Sequence, residues 1–209
     1  VTEDKNFFKH DGLDFKGISR AFIINIKYLI TGKRLVGAST ITQQVAKNFL
    51  LTSEISFERK LKEALLALRI ERTLTKEKIL ELYLNEIFLG FRSYGIAVAS
   101  QNYFNKSIDD LNLSEIAFLA GLPKGPNNYH PLKKYNAALI RRNYVLSRLF
   151  EEGVISRLEF AEAIQKSINI IKNQSNINIK ANYFSTEVRK IIINKYNKNY
   201  LYNEGLYVL

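Results

Sequence analysis

The stretch FERKLKEALLALRIER, residues 57–72, decides the fold class. Phe57, Leu61, Ala64, Leu65 and Leu68 recur at three- to four-residue spacing and form one apolar stripe of a helix. Charged residues fill the opposite side. Outward from this stretch the same period returns, and it predicts helices near 15–30, 41–50, 76–88, 94–103, 113–121, 135–151, 157–166 and 181–194. Asn112 with Glu115, and Ser156 with Glu159, read as capping boxes. Thr75 can cap TKEKILELYLN, with Glu77 in the favourable first turn. Gly90 and Gly153 follow periodic runs and can stop them. The segment 121–131, GLPKGPNNYHP, holds all 3 prolines and reads as a loop. The stretch 167–180, SINIIKNQSNINIK, is either a strand pair or a loose linker. The expected fold is mainly α.

Composition narrows the function classes. The chain of 209 residues is long enough for one domain with a sizeable core, and 46% hydrophobic with 24% charged residues is a folded composition. The net charge of +11 favours anionic partners: nucleic acid, anionic lipid or a diphosphate. A merely Lys-rich surface gives the same number. There is no cysteine, so thiolate chemistry and disulfides are excluded. His10 and His130 are the only histidines, so carboxylates must carry most acid–base chemistry. No run of 18 or more apolar residues occurs. The run 21–30, AFIINIKYLI, holds Lys27 and is either a buried helix or one that dips into a membrane interface. No glycine-rich phosphate loop is present.

Four stretches can carry chemistry. The opening EDKNFFKHDGLD places Glu3, Asp4, His10, Asp11 and Asp14 beside Phe7 and Phe8. A carboxylate at an apolar rim can have a raised pKa and accept a proton; an acidic surface loop has the same composition. Residues 37–48, GASTITQQVAKN, crowd Ser39, Thr40, Thr42, Gln43, Gln44, Lys47 and Asn48. Such groups suit sugar and phosphate oxygens, or Ser39 or Thr40 simply caps a helix. In RKLKEALLALRIE, residues 59–71, Arg59 and Glu63 stand at i and i+4, and Lys60 and Glu63 at i and i+3. That face can hold an anion, but taken alone it reads as a solvated salt-bridge face. In ILELYLNEIFLG, residues 79–90, Asn85 is the one uncharged polar residue and suits a structural role.

Together, in this order, these stretches resemble the peptidoglycan glycosyltransferase domain of bifunctional class A penicillin-binding proteins, glycosyltransferase family 51. The first motif, EDxxFxxHxGxD, is matched by Glu3, Asp4, Phe7, His10, Gly12 and Asp14. The second, GxSTITQQxxKN, is matched from Gly37 to Asn48, and the third, RKxxExxxAxxxE, by Arg59, Lys60, Glu63, Ala67 and Glu71. Tyr83, Leu84, Asn85 and Gly90 match the fourth. Gly95, Ala99, Tyr103, Phe104 and Lys106 form a fifth.

The resemblance implies a lysozyme-like helical domain with a small membrane-facing lobe over residues 1–165. It implies that 166–209 is a linker toward a transpeptidase half absent from this chain, whose SxxK and KTG motifs do not occur here. The implied activity is polymerisation of lipid II into glycan strands, with Glu3 as base and Glu63 as second carboxylate. Glu63 orients a cation, holds Mg2+ or Mn2+ at the diphosphate, or tunes the basic groups beside it; no organic cofactor is implied. Lys47, Arg59 and Lys60 are the expected diphosphate ligands. Ser39, Thr40, Gln43, Gln44 and Asn48 are expected to bind and position substrate and to build the site, with Asp4, His10, Glu71 and Asn85 in support. Expected partners are lipid II, the growing strand, the membrane surface and other cell-wall synthesis proteins, not nucleic acid. The expected place is the outer face of a bacterial inner membrane, with a spanning anchor upstream of VTED. A lysozyme-like glycan hydrolase and a basic nucleic-acid module are the alternatives.

Overall fold

In the computed structural model, which describes residues 2–32, 36–51 and 56–171 with 191, 193 and 195, the helix at 57–73 is turned the opposite way from its apolar stripe. Phe57 is 87% exposed, and Leu61 and Leu65 are also exposed. The residues it buries are Glu63 and Ala67. The reason is its partner: the helix lies against Ile41–Leu50, and that contact takes a small side chain and a carboxylate whose charge is met locally. The stripe therefore identified the helix and misplaced its inward face.

The described helices are α1 (Phe15–Thr31), α2 (Ile41–Leu50), α3 (Phe57–Thr73), α4 (Lys76–Glu86), α5 (Ile96–Phe104), α6 (Leu113–Gly121), α7 (Tyr135–Glu151) and α8 (Arg157–Gln165). Short 3-10 turns occupy Phe7–Lys9, Leu122–Lys124 and Pro126–Asn128. Among the described residues the extended pairing is one isolated bridge between Phe88 and Tyr94. The chain is mainly helical, as expected. The helix expected over 181–194 falls, except for residues 191 and 193, outside the described residues, as does 172–180.

Local chemistry sets the helix ends. The boxes at Asn112/Glu115 and Ser156/Glu159 both form, and Thr75 caps α4. Helix α4 stops at Glu86 with extended backbone at Ile87, before Gly90 is reached. Helix α5 begins only after Gly95, whose φ of +77° and close approach to the Asn85 carbonyl exclude a side chain: a Cβ would stand 2.4 Å from that oxygen.

Residues 1–171 form one compact unit and 172–209 a second. In the first, α2 packs on α3 and α4, and α6 packs on α7. The main core joins Phe7, Ile79, Tyr83, Leu89, Tyr103, Phe104, Phe118 and Leu122. Phe118 meets Tyr103 and Phe104 edge-on at 5.4 and 5.9 Å, a favoured geometry for buried rings. Ile168 belongs to this core, and the Ile171 N–H donates to the Tyr103 carbonyl at 3.1 Å.

Helices α1 and α7 break the simple hydropathy rule. Helix α1 buries only Ala21 and exposes Phe15, Phe22, Ile23, Leu29 and Ile30. It is not a buried helix, and no described helix is long and apolar enough to cross a membrane. Helix α7 buries Ala138, Arg141, Arg142, Val145 and Leu146. Arg142, 1% exposed, donates to the Ser114 hydroxyl at 2.6 Å, to the Ile164 carbonyl at 3.1 Å and to the Lys166 carbonyl. It thus supplies donors to the C-terminal end of α8, where helix carbonyls lack them.

Candidate active site

Glu3 lies at the start of the described chain, in the segment that Phe7 pins into the core. Its Oε1 accepts a hydrogen bond from Arg141 Nη2 at 3.2 Å, with only 22% of the Glu3 side chain exposed. Burial pushes the Glu3 carboxyl above the usual carboxylate range, while Arg141 and then Lys124 pull it back. A half-desolvated carboxylate with a raised pKa is a better proton acceptor than an exposed one. Tyr83, from α4, is also buried, and burial and then the charges of Glu3 and Asp4 push its hydroxyl up. That hydroxyl has no hydrogen-bond partner among the described residues.

Asp4 and His10 bind the opening segment to α2. Gly12 N–H donates to His10 Nδ1 at 3.2 Å, so Nε2 carries the ring proton and donates to Asp4 at 3.0 Å. Asp4 Oδ2 also accepts from the Ile41 N–H at 3.1 Å, at the first turn of α2. Thr40 closes the capping box with Gln43, and its hydroxyl donates to the Gly12 carbonyl at 2.6 Å. Gly12 has φ +91°, and a Cβ there would stand 2.9 Å from the Ala67 carbonyl. Glu71 accepts from the Thr42 hydroxyl at 2.5 Å and from Lys76 at 2.7 Å, and Lys76 also donates to the His10 carbonyl at 2.6 Å. Three separate sequence stretches are thereby cross-braced.

These bonds sort the expected residues. Asp4, His10 and Glu71 sit in the brace. Thr40 and Gln43 are buried and engaged in the capping box, so their polar groups have partners in the frame. Ser39 is exposed and accepts from Lys60 Nζ at 2.7 Å. Gln44, Lys47 and Asn48 share the outward side of α2, at i, i+3 and i+4, with Lys47 and Asn48 exposed. The Asn85 side chain is exposed, and it is the backbone of Asn85 that packs, against Gly95.

Glu63 is 2% exposed. One oxygen accepts from Arg59 at 3.1 Å and the other from Lys60. This is a buried carboxylate holding two cations at the protein's edge, not the solvated face that i,i+4 spacing alone suggests. Arg59 Nε is buried without a partner among the described residues. No group of three or more His, Asp or Glu side chains converges as a metal site among the described residues. With both Glu63 oxygens facing cations, the donor set does not fit a divalent ion held by the protein's own side chains.

Sequence reasoning missed Arg141, Lys124 and Lys76. The signal for Arg141 was present: positions 138, 141, 142, 145 and 146 form one helical stripe, and two of its five members are arginines. An arginine inside a buried stripe requires a partner.

A transglycosylase family model matches residues 1–150. The chain is 48% identical over 210 residues to penicillin-binding protein 1A of Rickettsia conorii, covering all of this chain and 27% of that protein. It is 46% identical over 205 residues to penicillin-binding protein 1A of Escherichia coli, covering 98% and 24%. The chain therefore spans about a quarter of the length of these relatives. Its fold is similar to the crystal structure of penicillin-binding protein 1A from Haemophilus influenzae, with a TM-score of 0.54 and 35% identity over 81% of this chain and 22% of that one.

Proposed function

The chain belongs to the transglycosylase family, and on that premise we propose that it polymerises lipid II into peptidoglycan glycan strands with Glu3 as general base. Glu3 takes the proton of the 4-hydroxyl of the acceptor N-acetylglucosamine. That oxygen bonds to C1 of the donor N-acetylmuramic acid as the bond from C1 to the diphosphate breaks. The diphosphate leaves as an anion, and attack from the opposite face gives a β-1,4 link with inversion. The observation that carries this reading is Glu3 itself, a desolvated carboxylate with a raised pKa whose company is cationic.

Charge on the departing diphosphate needs cations where it develops. Arg59, Lys60 and Lys47 supply them, with Arg59 able to offer paired donors. Glu63 acts by holding Arg59 and Lys60 in place. Gln44, Asn48 and Ser39 contact substrate oxygens. The exposed apolar side chains of α1, with Phe57, Leu61 and Leu65 of α3, suit the surface of a membrane that carries the lipid. The catalytic unit then works at the outer face of a bacterial inner membrane, beside other cell-wall synthesis proteins.

The deciding assay supplies lipid II to the full chain in detergent and follows product length. Wild type lengthens glycan; Glu3→Gln falls by about 10²–10⁴-fold. Shortening of pre-made strands would assign a hydrolase instead. Mg2+, Mn2+ and a chelator separate the metal-holding reading of Glu63 from the others, since a carboxylate that only holds cations leaves the rate indifferent to the chelator. Activity should fall as pH drops through the raised Glu3 pKa, because the base works only when deprotonated.

A further inference from the structure

Glu3 and Arg141 are separated by 138 positions in sequence and joined by one hydrogen bond. We propose that Arg141 is a positioning residue for the base, fixing Oε1 of Glu3 so that Oε2 is presented to the acceptor hydroxyl. This rests on the glycosyl-transfer reading of Glu3. No family motif quoted above contains Arg141.

The guanidinium is held from several sides. Nε donates to the Gly121 carbonyl at 3.0 Å, and Nη2 to Glu3 Oε1 at 3.2 Å. The rings of Tyr144 and Tyr129 lie 5.1 and 5.9 Å from the guanidinium carbon, within cation–π range. Gly121 clears the path, since a Cβ there would stand 3.0 Å from Arg141 Cγ. A planar fork can serve two acceptors in fixed, different directions; the point charge of a lysine cannot. Among the described residues no protein donor is bonded to Glu3 Oε2. An open cavity of about 390 Å³ lies beside the guanidinium, lined by Lys124, Tyr129, Ala137, Ile140, Arg141 and Tyr144.

Electrostatics give the arrangement a signature. Among the described residues, the groups facing Glu3 are Arg141 from α7, Lys124 from the 3-10 turn after α6, and the neutral Tyr83 from α4. Burial raises the Glu3 pKa, and Arg141 is the largest opposing charge. Removing it must raise that pKa further.

The test compares Arg141→Gln, Arg141→Lys and Arg141→Ala in the full chain, measuring lipid II polymerisation against pH. In Arg141→Gln, kcat falls roughly 10- to 100-fold, KM changes little, and the acid limb of kcat/KM moves to higher pH. Arg141→Lys keeps the limb near its wild-type position but stays below wild-type kcat. Arg141→Ala regains rate on adding guanidinium ion, which the open cavity admits. An unmoved acid limb in Arg141→Gln with no guanidinium rescue of Arg141→Ala reduces Arg141 to packing and overturns the proposal. So does wild-type kcat in Arg141→Lys, which is decisive even if the other variants fail to fold. A wild-type chain that makes no glycan overturns the reading of Glu3 beneath the proposal, a result distinct from normal variants of an active enzyme.

Discussion

Helices α1 and α7 are both 17 residues long, and hydropathy would put the wrong one inside. Helix α1 is rich in Phe and Ile and buries one alanine; α7 buries two arginines. The difference lies in partners. Arg141 and Arg142 reach carbonyls, a hydroxyl and a carboxylate that leave few donors idle, and a charge so matched is tolerated inside. The apolar side chains of α1 meet no comparable surface in the described chain. Burial here follows the availability of a matching neighbour.

The largest effect that sharpens this contrast is Glu3→Gln. Polymerisation should fall by about 10²–10⁴-fold while the melting temperature holds or rises. The sign follows from the raised carboxyl: its contribution to stability is full below the unfolded pKa and lost as pH rises through the folded one. At neutral pH the ionised Glu3 is therefore a burden that glutamine removes. A marked loss of stability in this variant would show that the pair with Arg141 holds α7 in place.

Next comes Arg142→Met. It leaves the Ser114 hydroxyl and the Ile164 and Lys166 carbonyls without their donor. At about 1–3 kcal/mol for each of the three stranded groups, denaturant unfolding should show a loss of at least about 3 kcal/mol. A neutral result would mean that matching neighbours are not what keeps α7 inside. Thr40→Ala removes a cap and the bond to Gly12, and urea titration should report about 1–2 kcal/mol.

The smallest stability effect belongs to α1. Phe22→Ser or Ile30→Ser should change unfolding free energy by no more than about 0.5 kcal/mol, yet reduce sedimentation with lipid vesicles. A large destabilisation would place these side chains in a packed interface and erase the contrast with α7.

What the sequence disclosed divides along the same line. The boxes at Asn112 and Ser156 were legible because each is a contact between neighbours three residues apart, whereas at α2 the sequence left Ser39 and Thr40 as equal candidates for the cap and Thr40 takes it. The helices were legible because their period is local. The orientation of α3 was not, because it is set by the contact with α2, which buries Glu63 and Ala67 and leaves Phe57, Leu61 and Leu65 outside. Glu3, Glu63, Arg59 and Lys60 stood out through motif order, but the burial of Glu63 by its own cations did not. Arg141 lay beyond reach because its partner is 138 residues away; only its place within an apolar stripe betrayed it.

The bond from Ile41 N–H to Asp4 has a mechanical side. Asp4 is covalently adjacent to the proposed base, and Ile41 begins the helix that carries Gln44, Lys47 and Asn48 outward. Asp4 thus fastens the opening segment to the first turn of the helix that carries Lys47, so neither can shift without the other.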